Sequence, residues 1–334
     1  HCCEKNLDVN AAAEKVRETM VSVCDMHMRS DVPVGLMLSG GLDSSSMLAA
    51  LHIKNHTKGK FRSFSVDFGE TLSERIWIEE AAAAFNTLSE INSFSNADFY
   101  ESIKPMIWHL EGPIGGLMNC ALRYVMEAAY ASGVKVLLDG TGPDEAFGGY
   151  QNHHNLYIAE LLERGDKNAR EHIQNYSSVW GVSEATAELF ALRELELIDS
   201  NTAIDGTIPV QSECLSFIEN DINIAPSHFI KSANDLIKDN LIKYMSGSKI
   251  LRNNRFLDRI SMAYGIELRL PFLEHEFVEL GLSLPNWMYF LDGYTKGIIR
   301  RGFEGYMPES VRLAKKRSIQ APQGEWLRSA PMRG

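Results

Sequence analysis

The chain lacks any run of about 18 apolar residues, the length a membrane-spanning helix requires, so no membrane partner is expected. It also lacks an excess of positive charge. Its 33 Lys and Arg stand against 44 Asp and Glu, a net charge of −11, which argues against non-specific nucleic-acid binding. Cysteine is sparse: five residues at positions 2, 3, 24, 120 and 214, with no Cys-x-x-Cys pair and no zinc-like Cys/His spacing. His1, Cys2 and Cys3 are potential metal ligands but read as a frayed terminus. The opening "HCCEKNLDVN" has no apolar segment of the kind a secretory leader carries. A reducing, cytoplasmic setting is expected. What remains, 334 residues of which 45% are hydrophobic, is globular material sufficient for two cores.

Apolar spacing predicts an amphipathic helix over 8–28, through Val9, Ala12, Ala13, Val16, Met20, Val23 and Cys24. "VPVGLML" (32–38), "FRSFSVDF" (61–68) and "VKVLLDG" (134–140) read as strands. Between them lie helical patterns from Asp43 or Ser44 as cap, from Ser73 as cap, and over 97–110 and 119–132. Strands alternating with helices imply an α/β fold: a parallel sheet with helices on both faces. Helical periodicity over 156–164, 184–198, 228–246 and 253–265, without a further buried-strand pattern, predicts a mostly helical C-terminal half packed on the sheet. The expected organisation is a leading helix in 1–30, an α/β core in 31–150 and a helical part in 151–334.

One further absence frames the chemistry. "LMLSGGLDSSSML" (36–48) runs from a strand through two glycines into a helix, yet it carries no lysine. Backbone N–H groups at a helix N-terminus make an anion site, and Ser39, Ser44, Ser45 and Ser46 add hydroxyl donors. The Walker pattern Gly-x4-Gly-Lys-[Ser/Thr] is missing, so the loop is not that of the common NTPases. A carboxylate beside phosphates, Asp43, makes sense if it holds a hard cation; it is otherwise a first-turn or capping aspartate. In open parallel sheets ligands collect beyond the carboxyl ends of the strands, where 39–41 and the second glycine-rich stretch, 140–149, both fall.

Ser-Gly-Gly-x-Asp-Ser after an apolar strand resembles the pyrophosphate loop of the PP-loop ATP pyrophosphatases. "DVPVGLMLSGGLDSS" further resembles the synthetase domain of the asparagine synthetase family. "SFSVDF", "LLDGTGPDEAFGGY", "DRISMAYGIELRLPFLEHEFVEL" and "MPESVRLAKKRSIQAPQGEWLR" resemble further blocks of that family, in family order from Asp31 to Arg328. The resemblance implies ATP and Mg²⁺ as cofactors. It implies adenylation of a small-molecule or peptide carboxylate, with release of pyrophosphate, then attack by ammonia or an amine. It places nucleotide contacts on Leu38, Ser39, Gly40, Gly41, Asp43, Ser44, Ser65, Val66, Asp139 and Gly140, and metal carboxylates on Asp43 and Asp144. Catalytic roles fall on Lys316, with Lys315 and Arg317 as neighbours in the register, and on Glu267 and Arg269, which also read as a structural pair. Lys296 and Arg300 match further basic positions or are surface charges. Glu145 faces the same edge as Asp144 or caps the next element, and Asp258 and Arg259 carry the same ambiguity.

Two departures qualify the product. Asparagine-forming members carry glutamate where Thr141 stands, and threonine is no base near neutral pH. The segment "HLEGPIGGLMNC" (109–120) offers Gly115, Gly116 and Met118 where those members present hydroxyl and arginine side chains to the acyl group. His109 and Glu111, nearby, read as structural. These substrate-pocket candidates keep open an intramolecular or secondary-metabolic amide former, of the β-lactam or lasso-peptide type. A nucleotide-binding subunit without catalysis is the reading from another class. No glutaminase domain is recognisable in the chain, so one is expected, if at all, as a separate domain or subunit; a homodimer is compatible with the reading.

Overall fold

Asp8 caps the first helix, α1 (Val9–His27), its side chain accepting from Asn10 N at 2.9 Å. The computed structural model describes residues 8–59, 61–69, 73–199, 235–316 and 322–328. Cys2, Cys3, Cys214 and Arg317, and residues 228–234 of the expected helix 228–246, lie outside the described residues. The periodic positions Ala12, Ala13, Val16, Met20, Val23 and Cys24 are all buried, as the 3.6-residue spacing requires.

Five strands form one all-parallel sheet in the order β3-β2-β1-β4-β5. They are β1 (Val34–Met37), β2 (Arg62–Asp67), β3 (Leu88–Ser93), β4 (Val136–Leu138) and β5 (Glu267–Arg269). The crossovers are helical: α2 (Leu42–Ile53), α3 (Arg75–Ala84), α4 (Asn96–Leu110) and α5 (Leu117–Ala131). Side chains alternate across a strand. Met37, Phe64 and Leu137 therefore enter one core with Phe99 and Met106 of α4 and Val125 and Met126 of α5. Leu36, Leu38 and Leu138 face the other way and are also buried, on the side where α1 and α2 pack. Helices thus cover both faces, and the α/β expectation holds.

Two strands and two caps differ from the sequence reading. β3 and β5 are the edge strands, and neither carries a buried apolar run. β3 is half-exposed along "LSEINS", and β5 has only three residues, so the signature of a central parallel strand never forms. β5 lies in the half whose periodicity predicts helices without a further buried-strand pattern, and none of its three residues is buried. The N-cap of α2 is Gly41, not Asp43 or Ser44, and α3 starts after Glu74, with the Ser73 hydroxyl accepting from Arg75 N at 3.3 Å.

The chain divides into two compact units. The first comprises His1–Pro143, Asn253–Gly281 and Ile298–Gly334 and contains the whole sheet; the second comprises Asp144–Arg252 and Leu282–Gly297. The second is built from helices 151–163, 169–180, 184–199 and 236–246, around Ile158, Ala159, Ile173, Tyr176, Ala187 and Ala191. The helix 169–180 is absent from the sequence reading, and helix 151–163 begins five residues earlier than its apolar pattern, because His153, His154 and Asn155 are buried.

His154 gives the second unit a pH signature. Its ring stacks on Phe290 with centroids 4.5 Å apart and meets Tyr176 edge-on, and neither ring nitrogen has a hydrogen-bond partner. Burial, and then the nearby His172, hold its pKa down at about 3, against 6.5 for the free group. The unfolded chain thus takes up a proton below pH 6.5 that the folded chain refuses until about 3, so this residue removes stability as pH falls through that window. Glu145, raised to about 7, works in the opposite sense there, as do Glu160 and Glu194, while His172 works in the same sense as His154, so the wild-type slope is their sum and the His154 share is read from a variant. The expected outcome in urea unfolding is that His154→Phe gains on the wild type by about 1.4 kcal/mol per pH unit below 6.5. A pH-independent difference would show that His154 takes up its proton as readily in the folded as in the unfolded chain.

Candidate functional site

At the carboxyl end of β1 the chain turns through Leu38, Ser39, Gly40 and Gly41 into α2. Leu38 N donates to Phe64 O at 2.9 Å, and the Ser65 hydroxyl donates to Leu38 O at 2.5 Å, so β2 fixes the start of the loop from two sides. Ser44 closes it: Ser39 N donates to Ser44 Oγ at 3.1 Å and the two hydroxyls lie 3.0 Å apart. Gly41 N donates to Ser39 Oγ at 3.3 Å. Gly40 takes φ +68, and a Cβ there would sit 2.9 Å from the backbone nitrogen of Ile78. Only glycine meets both demands. Gly40→Ala is expected to destabilise the first unit by about 2 kcal/mol, combining left-handed backbone strain with the contact to α3. Urea unfolding measures this, and ATP affinity is expected to fall with it.

Gly41, as N-cap, has no side chain to cap the first turn of α2, and the helix dipole adds partial positive charge there. Asp43 lies in that turn. Of the four serines expected as donors, Ser39 and Ser44 shape the loop. Ser45 and Ser46 are fully buried, and the Ser46 hydroxyl returns to Asp43 O at 2.9 Å, so these two turn inward by helical periodicity.

The end of β4 brings Asp139 and Gly140 to the same place. A Cβ on Gly140 would lie 3.1 Å from Ser44 N and 3.4 Å from Asp43 Cβ, so this glycine lets β4 approach the head of α2. Asp139 accepts from Thr141 N at 2.9 Å, and its own N–H donates to Arg269 O at 2.9 Å. Its carboxyl is held above the ordinary range, chiefly by burial and additionally by the charge of Asp43, against the bonds from Thr141. A carboxylate in the first turn of a helix, whose charge helps hold a second, buried carboxyl above its ordinary range, suits a hard cation with oxygen ligands. The residues present fit Mg²⁺ on Asp43 and phosphates on the loop.

Among the other expected residues, Val66 is the penultimate residue of β2, with its side chain against the core of α4 and α5. Asn92 Nδ2 donates to Ser65 O at 3.4 Å. Glu267 and Arg269 are joined, Arg269 Nε to Glu267 Oε1 at 2.6 Å, on edge strand β5. Arg269 Nη1 also donates to His27 O at 2.6 Å and Arg29 O at 2.8 Å, so its fork closes the end of α1, and Glu267 is exposed. Gly115 and Gly116 both take positive φ, and Asn119 Nδ2 donates to Ile114 O at 2.6 Å across the turn. A Cβ on Gly115 would meet the Phe256 ring at 2.4 Å; the glycine is there to seat that aromatic ring. Met118 packs against the same core. Glu111 pairs with Arg259 at 2.8 Å.

Lys316 follows the helix Glu309–Arg312, two residues beyond Ala314, and is half-buried, whereas Lys315 is exposed. Lys296 and Arg300, open to reading as surface charges, are both buried at 4% exposure. No signal in the sequence distinguishes them from Arg301, which is exposed. Asp144 belongs to the second unit, where Lys296 Nζ donates to its Oδ1 at 2.8 Å. Glu145, in the short helix Pro143–Ala146, is buried rather than capping, and accepts from Tyr150 OH at 2.5 Å. Burial, then the neighbouring Asp144, push its carboxyl up to about 7. No group of three or more His, Cys, Asp or Glu among the described residues forms a preassembled metal cluster. No helix among them is long and apolar enough to cross a membrane.

Comparison with known proteins agrees with this geometry. The model of the asparagine synthase family matches residues 15–334. The chain is 27% identical over 327 residues to "Asparagine synthetase [glutamine-hydrolyzing] 1" of Bacillus subtilis, covering 95% of this chain and 50% of that protein. It is 32% identical over 157 residues to "Putative asparagine synthetase [glutamine-hydrolyzing] 2" of Methanocaldococcus jannaschii, covering 47% and 30%. It is 24% identical over 366 residues to "Amidase chyE" of Penicillium rubens, covering 93% and 52%. The chain spans about half the length of the curated relatives that it matches over most of its own. With a lysine-free glycine loop, a carboxylate at the head of α2 and a family match that runs to the last residue, the chain belongs to the asparagine synthase family.

Proposed function

We propose that the chain performs ATP-dependent amide formation through an acyl-adenylate. The observation that carries this reading is the loop itself: an anion-binding helix head without lysine, with Asp43 in its first turn and Asp139 beside it. A carboxylate oxygen of the substrate attacks the α-phosphorus of ATP, the bond to the bridging oxygen breaks, and pyrophosphate leaves. An amine or ammonia then attacks the acyl carbon, AMP departs, and the nitrogen loses a proton. In this reading Leu38–Gly41 and Ser44 cradle the phosphates, the ends of β2 and β4 at Ser65, Val66, Asp139 and Gly140 border the nucleoside, and Lys316 meets charge building on the α-phosphate. Mg²⁺ held by Asp43, with Asp144 as the family's second metal carboxylate, would neutralise phosphate charge.

Glu267 and Arg269 fit a supporting role better than direct chemistry, since the Arg269 fork is engaged by carbonyls of the α1 terminus. Thr141 favours a product other than asparagine. Its N–H is engaged with Asp139 and its hydroxyl supplies no base, and Gly115 and Gly116 offer no polar side chain to an aspartyl group. The test is product formation from aspartate, ammonia, ATP and Mg²⁺. Absence of asparagine, together with AMP formation on another acid, supports the intramolecular or secondary-metabolic amide former. Asparagine at a normal rate would overturn that second reading.

A further inference from the structure

We propose that Arg300 is a positioning residue for Lys316, fixing the lysine-bearing segment through interlocked guanidinium–carbonyl bonds; this rests on Lys316 as the cation that meets the α-phosphate. Arg300 sits in the short helix Gly297–Gly302. Its Nη1 donates to Arg312 O and, at 3.0 Å, to Ala314 O. Arg312 returns a bond from its own Nη1 to Arg300 O at 3.1 Å. The other nitrogens of Arg312 fork onto Glu309, Nε to Oε1 at 2.7 Å and Nη2 to Oε2 at 2.5 Å. Each arginine therefore holds the backbone of the other, and both are buried.

The physical need is local. Residues 313–316 leave the four-residue helix Glu309–Arg312 without entering another regular element, so their carbonyls have no ladder partner. Both bonds leave one nitrogen, whose two N–H groups are fixed in the guanidinium plane, whereas the three donors of an ammonium rotate on a flexible stem that ends one bond short of that nitrogen. Burying that charge costs free energy which only well-placed acceptors offset, so the position is unsuited to a solvating surface cation. Ala314 lies two residues from Lys316, so its tethered carbonyl sets where the lysine leaves the protein surface. The same device closes α1, where Arg269 holds two carbonyls. An ammonium on an untethered segment would still be charged but would spend less time where charge develops, and small misplacements of such groups cost rate heavily.

The test is protection of Lys316 from acetylation by an N-hydroxysuccinimide ester, read by peptide mass spectrometry with and without Mg²⁺ and ATP. In the wild type, saturating ATP is expected to slow acetylation of Lys316 about threefold, a modest ground-state contact that strengthens in the transition state. In Arg300→Gln the protection is expected to vanish, while ATP affinity by calorimetry falls by no more than about that same threefold, because protection and affinity are reciprocally linked. Amide exchange at Leu313 and Ala314 is expected to quicken in the same variant. A merely structural role would lower ATP affinity well beyond that factor as protection is lost, and that result overturns the inference. Equal protection in wild type and variant also overturns it and leaves the Lys316 reading standing. No protection in the wild type overturns that reading, and the inference with it. Where Arg300→Gln does not fold, Arg300→Lys keeps the charge but ends one bond short of the Nη1 position and loses its fixed donor plane, and full protection in it contradicts the proposal.

Discussion

Asp43→Asn is expected to abolish adenylation, lowering it by about 10³-fold or more, while the folded state survives. The substitution keeps size and shape in the first turn of α2 and removes only the charge. Two effects follow. The carboxylate that would hold Mg²⁺ against the phosphates becomes a neutral amide, a poor ligand for a hard cation. The charge that adds to the shift of Asp139 is also removed; burial still holds the Asp139 carboxyl above its ordinary range, but the site loses its paired-carboxylate character. Stability is expected to move by less than about 1 kcal/mol, because loss of a favourable helix-dipole contact and relief of carboxylate repulsion have opposite signs. Pyrophosphate release and a thermal melt on one preparation check both parts. Near-normal release would remove Asp43 from the metal.

Lys316→Ala is the second large effect: adenylation is expected to fall about 10²- to 10³-fold with little change in ATP affinity. The loop at 38–44 contains backbone donors and hydroxyls but no full positive charge, so charge compensation at the α-phosphate must be imported. Lys316, half-buried at the end of an anchored segment, is the candidate the family pattern offers. Its neighbour Lys315 is exposed, and Lys315→Ala is expected to leave the rate within about twofold of wild type, as surface changes away from a site usually do. Kinetics on both variants settle the register; a larger loss at Lys315 would move the role by one residue.

The parts of this molecule legible in the sequence are those with strong local patterns. Helix α1 shows its buried stripe, β1 is a continuous apolar run, β2 alternates Phe64 and Val66 with serines, and the loop between Leu38 and Ser44 needs glycine at Gly40 for a reason the residue type itself announces. Edge strands escape because each is short or half-wet, and their identity comes from what pairs beside them. The inward turn of Ser45 and Ser46 follows from helical phase once Gly41 is the cap, but the cap residue depends on backbone angles that the letters "GGLDSS" leave open. Buried cations are the hardest to see. Lys296 and Arg300 look like surface charges in "YTKGIIRR" because burial of a charge is decided by distant partners, here Asp144 and the carbonyls of Arg312 and Ala314. The role of Gly115 is likewise invisible until Phe256, from far along the chain, packs on it.

The central claim is that ATP is cleaved between its α- and β-phosphates by a carboxylate. Exchange of labelled pyrophosphate into ATP, run with Mg²⁺ and a panel of amino-acid, peptide and β-amino carboxylates, tests it most directly, since exchange requires reversible formation of an acyl-adenylate. The account predicts exchange that depends on one acid of the panel, on Mg²⁺ and on Asp43. Release of ADP and phosphate with an acid that supports amide formation, and no exchange, would contradict it.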